Sequence, residues 1–343
     1  MFEVKDRYYH QILFKGIGEA GQRRISSGSV CIVGCGALGS MAAMGLVRAG
    51  VGKIRIIDRD FVEMPNLHRQ ILFDEEDVQK IMPKAVAAEA RLRKINSTIH
   101  IEGVVSELSH FNVEKLCDGF ALIIDGTDNF ETRFLINEFS IKNSIPWIYG
   151  AALGSYGLTF NIIPGDGPCL QCVFEALPPS GTLATCDTAG IINSVPTIIA
   201  SIQCAEALKI LSGRREKLNS FISIIDVWEG VLSRVALRKE KSDCSVCDRR
   251  EFKLLQGEGV PFAVRLCGRN AVQIYPRSAD PPVDLASLKN KLEGVADARY
   301  NGFLLRIKAE EFEITVFADG RTVVCGTMDT SLARSMYAKY VKA

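Results

Sequence analysis

Residues 30–40 read VCIVGCGALGS, four apolar residues running into three glycines, Gly34, Gly36 and Gly39, at the spacing G-x-G-x-x-G. A buried strand that turns through such glycines into a helix presents backbone N–H groups to phosphate, and the helix N-terminus favours negative charge there. The helix is expected over 37–50, ALGSMAAMGLVRAG, and the next strand over 53–58, KIRIID. Asp58 ends that strand about 20 residues beyond the turn, where a carboxylate can hold ribose hydroxyls. The stretch is therefore a βαβ nucleotide-binding unit. Taken alone it suits an NAD-dependent dehydrogenase as well as an enzyme of nucleoside triphosphates.

Working outward, the alternation continues. A helix is expected over 83–96 with Pro83 in its first turn, and strands over 99–105 and 120–125. A helix over 129–143 and a strand over 145–152 follow. Strands alternating with helices of this length predict an α/β fold, a doubly wound, Rossmann-like and mostly parallel sheet. The pattern then changes. An extended strand is expected over 156–164, a Gly/Pro/Thr-rich loop over 175–190, a long helix over 195–213 closed by Gly213, and two adjacent strands, FISIIDVW and VLSRVALR. Beyond these come short strands, two helices and an Asp319-Gly320 hairpin signal. We expect a main domain over 1–248 and a small C-terminal α+β domain over 258–343.

The chain has 343 residues, 47% hydrophobic and 24% charged, with a formal net charge of +1. Such a balance describes a globular protein and offers no electrostatic footprint for nucleic acid. The N-terminal MFEVKDRYYHQILF lacks the apolar core of a secretory signal. No run of ~20 uninterrupted apolar residues suggests a membrane span. A cytoplasmic protein is expected, without nucleic-acid or membrane partners.

The segment after Asp58 is unsuited to hydride transfer. DRDFVEMPNLHRQILF places Asp60, Asn66, Arg69 and Gln70 just past the strand, and Lys84 opens the following helix. Two cations on the rim of a phosphate-binding turn suit a triphosphate better than a dinucleotide. Asp128, in DGTDN, falls on the same rim, where a carboxylate can hold Mg²⁺ against phosphates or cap the helix that follows.

Eleven cysteines are present, and four form two C-x-x-C pairs, Cys169/Cys172 and Cys244/Cys247. Four thiolates are the ligand set of a tetrahedral structural Zn²⁺, which here would clip the end of the main domain onto its middle. Cys186, in the loop sequence TLATCDTAG, has no partner cysteine nearby and is either a nucleophile or an incidental thiol. His10, His68, His100 and His110 show no metal-ligand spacing.

Taken together, RYYHQI, GCGALG, IDRDFVEMPNLHRQ, the MPK at 82–84, DGTDNFETR, PCLQC, TCDTAG and CSVC resemble the MoeB/ThiF family, bacterial relatives of ubiquitin-activating enzymes. The likeness spans residues 7 to 247, and TCDTAG with the C-terminal LCGRNAVQI is most similar to its ThiF-type, thiazole-forming branch. The resemblance implies adenylation, with ATP and Mg²⁺, of the Gly-Gly carboxylate of a ubiquitin-like sulfur-carrier protein, ThiS or alternatively the molybdopterin carrier MoaD. By the same resemblance Asp58 holds the ribose, Asn66, Arg69 and Lys84 contact phosphates, Asp128 binds Mg²⁺, and Cys186 attacks the adenylate or takes part in sulfur transfer. A homodimer is implied too, as is a persulfide donor such as a cysteine desulfurase. One position departs from the family pattern: His10 stands where R-Y-x-R-Q carries an arginine that reaches the partner subunit's site, and a neutral imidazole cannot replace a permanent bidentate cation.

Overall fold

Val30, Cys31, Ile32 and Val33 are buried in β1 (Ser29–Val33), the strand on which the main sheet is organised. The computed structural model describes residues 7–174, 189–239, 243–258, 263–266, 270–275 and 283–342. β1 pairs in parallel with β2 (Lys53–Asp58) on one side and with β4 (Leu122–Asp125) on the other. β3 (His100–Val105) and β5 (Trp147–Leu153) extend the parallel part outward. β6 (Tyr156–Ile162), β7 (Phe221–Asp226) and β8 (Val231–Ala236) then add antiparallel, giving the order β3-β2-β1-β4-β5-β6-β7-β8. Beyond β3 the chain crosses back over β1 to lay down β4, so the carboxyl end of β1 is the switch point where such sheets bind ligands.

Both faces are covered, as a parallel sheet requires. The helices of this unit are α1 (Tyr9–Leu13), α2 (Gly18–Ser27), α3 (Ala37–Ala49), α4 (Glu75–Gln79), α5 (Lys84–Ile95), α6 (Val113–Cys117), α7 (Phe130–Asn143), α8 (Leu170–Val173) and α9 (Ser194–Ser212). Strand alternation divides the core in two. Val30 and Ile32 join α3, α5 and α9 on one face. Cys31 and Val33 join α6, α7 and the cysteine segments on the other. α9 has 19 residues and is long and apolar enough to cross a membrane by length and composition, which an uninterrupted-run criterion passes over. About half of it is buried, and it packs on α3, β5 and β6 as a core helix.

The chain divides into two compact units, Met1–Glu258 and Gly259–Ala343. The first runs past the second cysteine pair because that segment is fastened to α7. Glu138 accepts the Leu255 N–H at 3.0 Å, and Arg250 donates to the carbonyls of Ile141 and Lys142. Phe252, Leu254 and Leu255 pack on the same core.

The second unit is an antiparallel sheet of β9 (Ala263–Leu266), β10 (Ala271–Ile274), β11 (Asp297–Tyr300), β12 (Leu304–Ala309), β13 (Phe312–Phe317) and β14 (Thr322–Cys325), ordered β11-β12-β13-β14-β10-β9. Its core joins Ile274, Ile307 and Ile314 to α10 (Leu285–Lys291) and α11 (Thr330–Tyr340) through Leu288 and Met336. The expected hairpin turn is present: Gly320 has φ +86° and lies between β13 and β14.

Candidate active site and metal centre

The glycine turn is held from both sides. The Gly34 N–H donates to Ile57 O and the Gly126 N–H to Val33 O, each at 2.8 Å. Gly34 has φ +86°, and a Cβ there would lie 2.6 Å from Gly126 O. A Cβ on Gly39 would lie 1.8 Å from Gly34 O. These two glycines let backbone pack on backbone. Gly36 differs, because the nearest atom to its missing Cβ is Gln70 Nε2 at 3.8 Å. Its open side is therefore free for a ligand to approach.

Asp58 braces the turn. One carboxylate oxygen accepts the Cys35 N–H at 2.5 Å and the other the Asp60 N–H at 2.7 Å. Burial pushes the Asp58 carboxyl above its ordinary value, with Lys84 pulling the other way. Lys84 is buried, its Nζ 3.5 Å from an Asp60 carboxylate oxygen. Burial alone would lower the Lys84 ammonium, but Asp60, Asp58, Asp128 and Glu63 around it hold it above its ordinary value. The cation is thus locked on at neutral pH and surrounded by carboxylates.

The connection from β2 to α5 carries the other predicted residues. Asn66 and Gln70 are buried, and Arg69 is partly exposed. The Arg69 guanidinium donates to Asn66 Oδ1 at 2.7 Å and to Pro65 O at 2.9 Å, both neutral acceptors. Asn66 in turn donates to Glu63 at 3.4 Å, linking Arg69 to the surroundings of Lys84. Gln70 Oε1 is buried with no hydrogen-bond partner among the described residues. A buried acceptor left bare beside the open side of Gly36 fits a site completed by a ligand.

Asp128 lies exposed just past β4. It is not the helix cap that DGTDN also allowed: Asn129 caps α7, accepting the Thr132 N–H at 2.8 Å. The Asp128 carboxylate is left for another role. Beneath it lies a buried pair that sequence reading missed. Arg133 Nε donates to Asp125 at 3.0 Å, and its Nη2 donates to the carbonyls of Thr127 and Gly150. Asp125 also accepts from the Thr127 N–H and hydroxyl. The guanidinium stacks over Tyr149, its carbon 4.8 Å from the ring centroid. This network fixes the loop that carries Asp128. Its sequence signal was an acid ending an apolar strand with an arginine eight residues on.

The four predicted cysteines come together. Sulfur separations are 3.9 Å for Cys169–Cys172, 3.7 Å for Cys169–Cys244 and 3.5 Å for Cys172–Cys247, and all four lie within 4.8 Å of one another. A tetrahedron with Zn–S bonds of ~2.3 Å has edges of ~3.8 Å. Burial pushes the Cys169 thiol up to about 12 and raises Cys172 as well. Burial acts on Cys244 too, yet the N–H groups of Cys247 and Val246 hold it below its ordinary value. The four sulfurs are thus spaced to hold one tetrahedral metal ion, which would stabilise them as thiolates. Cys186 lies outside the described residues. Cys31, Cys35 and Cys117 are core thiols, and His10 is exposed on α1.

A family model described as the ThiF family matches residues 8–246, from the entry helix to the second cysteine pair. The chain belongs to the ThiF family. It is 42% identical over 337 residues to the sulfur carrier protein ThiS adenylyltransferase of Bacillus subtilis, covering 98% of this chain and 99% of that one. It is 34% identical over 250 residues to a sulfur carrier protein adenylyltransferase of Thermus thermophilus, covering 71% and 91%. Among solved structures, E. coli MccB with ATP superposes with a TM-score of 0.62 at 21% identity, over 70% of this chain and 74% of that one. That likeness establishes the fold: a ThiF-type sheet with the glycine turn at its switch point. The ThiF match leaves the C-terminal unit uncovered, whereas the Bacillus relative extends through it.

Proposed function

We propose that this chain adenylates the C-terminal Gly-Gly carboxylate of a ubiquitin-like sulfur-carrier protein of the ThiS type, in thiamine thiazole formation. A carrier carboxylate oxygen bonds to the α-phosphorus of ATP, the bond to the β-phosphate oxygen breaks, and pyrophosphate leaves. No general base is required, since a carboxylate is already a nucleophile. The demand is electrostatic: negative charge grows on the α-phosphoryl oxygens and on the departing pyrophosphate, and preorganised cations lower that barrier. Lys84, charged and buried, and Arg69, held by neutral acceptors, meet the demand. Asp58 would hold the ribose, Gly34, Gly36 and Gly39 the phosphates, with Asn66 and Gln70 beside them. Asp60 and Asp128 are the carboxylates available for Mg²⁺, which would neutralise phosphate charge. The cysteine cage would hold a structural Zn²⁺.

The observation that carries this reading is the full-length likeness to the Bacillus ThiS adenylyltransferase, C-terminal unit included. The same reading makes the working unit a cytoplasmic homodimer. It assigns Cys186 to the adenylate or to sulfur transfer, with a persulfide donor such as a cysteine desulfurase upstream. The test is ATP–pyrophosphate exchange with purified carriers. Exchange with ThiS is expected. Exchange with MoaD alone overturns the choice of carrier, and thermal stabilisation by NAD with no exchange overturns the reaction.

A further inference from the structure

Asn137 lies in the middle of α7 and is fully buried. Its Oδ1 accepts, at 2.9 Å, the N–H of Leu170, the residue that follows Cys169. Its Nδ2 has no hydrogen-bond partner of ordinary geometry among the described residues. A buried amide donor left bare is costly, so its retention calls for an acceptor in the working protein. The candidate acceptor is the Cys169 sulfur: the bond to Leu170 holds the Asn137 amide beside the residue that follows Cys169, and Cys169 is itself buried. A neutral thiol is a weak acceptor, and a metal-bound thiolate is a better one that outer-shell N–H groups commonly orient.

We infer that Asn137 is a positioning residue of the cysteine cage, its amide N–H directed at the metal-bound Cys169 sulfur while its carbonyl fixes the start of α8. The inference rests on the metal-cage reading given above. One side chain thereby sets both the backbone and the sulfur of the first ligand. Its neighbour Glu138 fastens the segment beyond the second cysteine pair through the Leu255 N–H. α7 is then the platform on which both halves of the clip are assembled.

The test starts from the purified full chain, whose bound metal is counted and whose zinc release to a chromogenic chelator is timed. Asn137→Asp keeps an acceptor for the Leu170 N–H and removes the donor. Zinc release from it is expected to be faster by about 10–100-fold. The sulfur-to-metal charge-transfer band of the cobalt-loaded variant is expected to shift. A role confined to the Leu170 bond predicts instead an Asp variant that releases zinc within about twofold of the wild type with an unchanged band, and that result overturns the inference. Should Asn137→Asp not fold, Asn137→Ser, whose hydroxyl is too short to span both groups, decides by the same two readouts. A wild-type chain that holds no metal removes the cage reading and this inference together. A metal-loaded wild type with indifferent variants removes this inference alone.

Discussion

The cysteine cage and the nucleotide rim are both clusters of chemically reactive groups, and they are finished differently. In the cage each sulfur faces the other three within 4.8 Å, and the neighbouring carboxylate of Asp248 is occupied by the Cys244 N–H. On the rim, groups are left over: the open side of Gly36, the bare Oε1 of Gln70 and the exposed carboxylate of Asp128. The first has the spacing that a single metal ion would close. The second keeps groups free for a ligand. The difference is the one expected between a centre that supports a fold and a centre that works on something outside it.

The sharpest way to break this contrast is at Arg133, which forms a buried ion pair with Asp125 at the foot of the unfinished rim. Arg133→Met leaves Asp125, fully buried, without its cation. Breaking such a pair from one side is expected to lower unfolding free energy by about 3–5 kcal/mol, read by denaturant titration. A loss under about 1 kcal/mol would mean that the network bears little of the rim's stability. Next comes metal removal. Cys169 and Cys244 are 75 residues apart, and releasing a cross-link over such a loop should cost about 4 kcal/mol by loop entropy. Chelation is therefore expected to lower the melting temperature strongly, with recovery on adding zinc. An unmoved transition would make the cage an assembly of thiols and nothing more.

On the rim itself the expected effect is on rate. Lys84→Ala or Arg69→Ala should slow carrier-dependent pyrophosphate exchange about 100-fold or more, close to 3 kcal/mol at the transition state. A change below about threefold would remove those side chains from the chemistry. Arg69→Ala should melt like the parent chain, since its guanidinium donates only to Asn66 and Pro65 among its resolved hydrogen-bond partners.

How far the sequence could be read follows from where each residue finds its partners. The parallel strands were legible because strands buried on both faces are short apolar runs, such as CIV and LIID, set off by glycine and acid. The cage was legible because each C-x-x-C pair is a local pattern, and the fold brings the two pairs together. The short helices α4 and α6 were not, having five residues each and no room for a period. α7 misleads more instructively. Arg133, Asn137 and Glu138 are spaced like the solvent face of an amphipathic helix, yet all three are buried. Their partners are Asp125, Leu170 and Leu255, brought in from other elements, and no local window contains all of them. At Asp128 the sequence left two roles open, and the cap fell one residue along, on Asn129.

The smallest expected effect is the most direct test of what the glycines are for. Gly39→Ala places a methyl 1.8 Å from Gly34 O, so the turn must shift and the fold should suffer. Gly36→Ala places one where only the Gln70 amide comes within 4 Å, and the φ of Gly36, −74°, is not in the left-handed region that favours glycine. Its stability should stay within about 1 kcal/mol of the parent, the scale of an N-cap substitution. ATP affinity should fall about tenfold, near 1.4 kcal/mol, because the methyl occupies the path of approach. Calorimetric titration alongside thermal melting reads both. If Gly36→Ala binds ATP as the parent does, the open side of the turn is not where the nucleotide lies, and the cations of the rim lose the ligand that gives them a task.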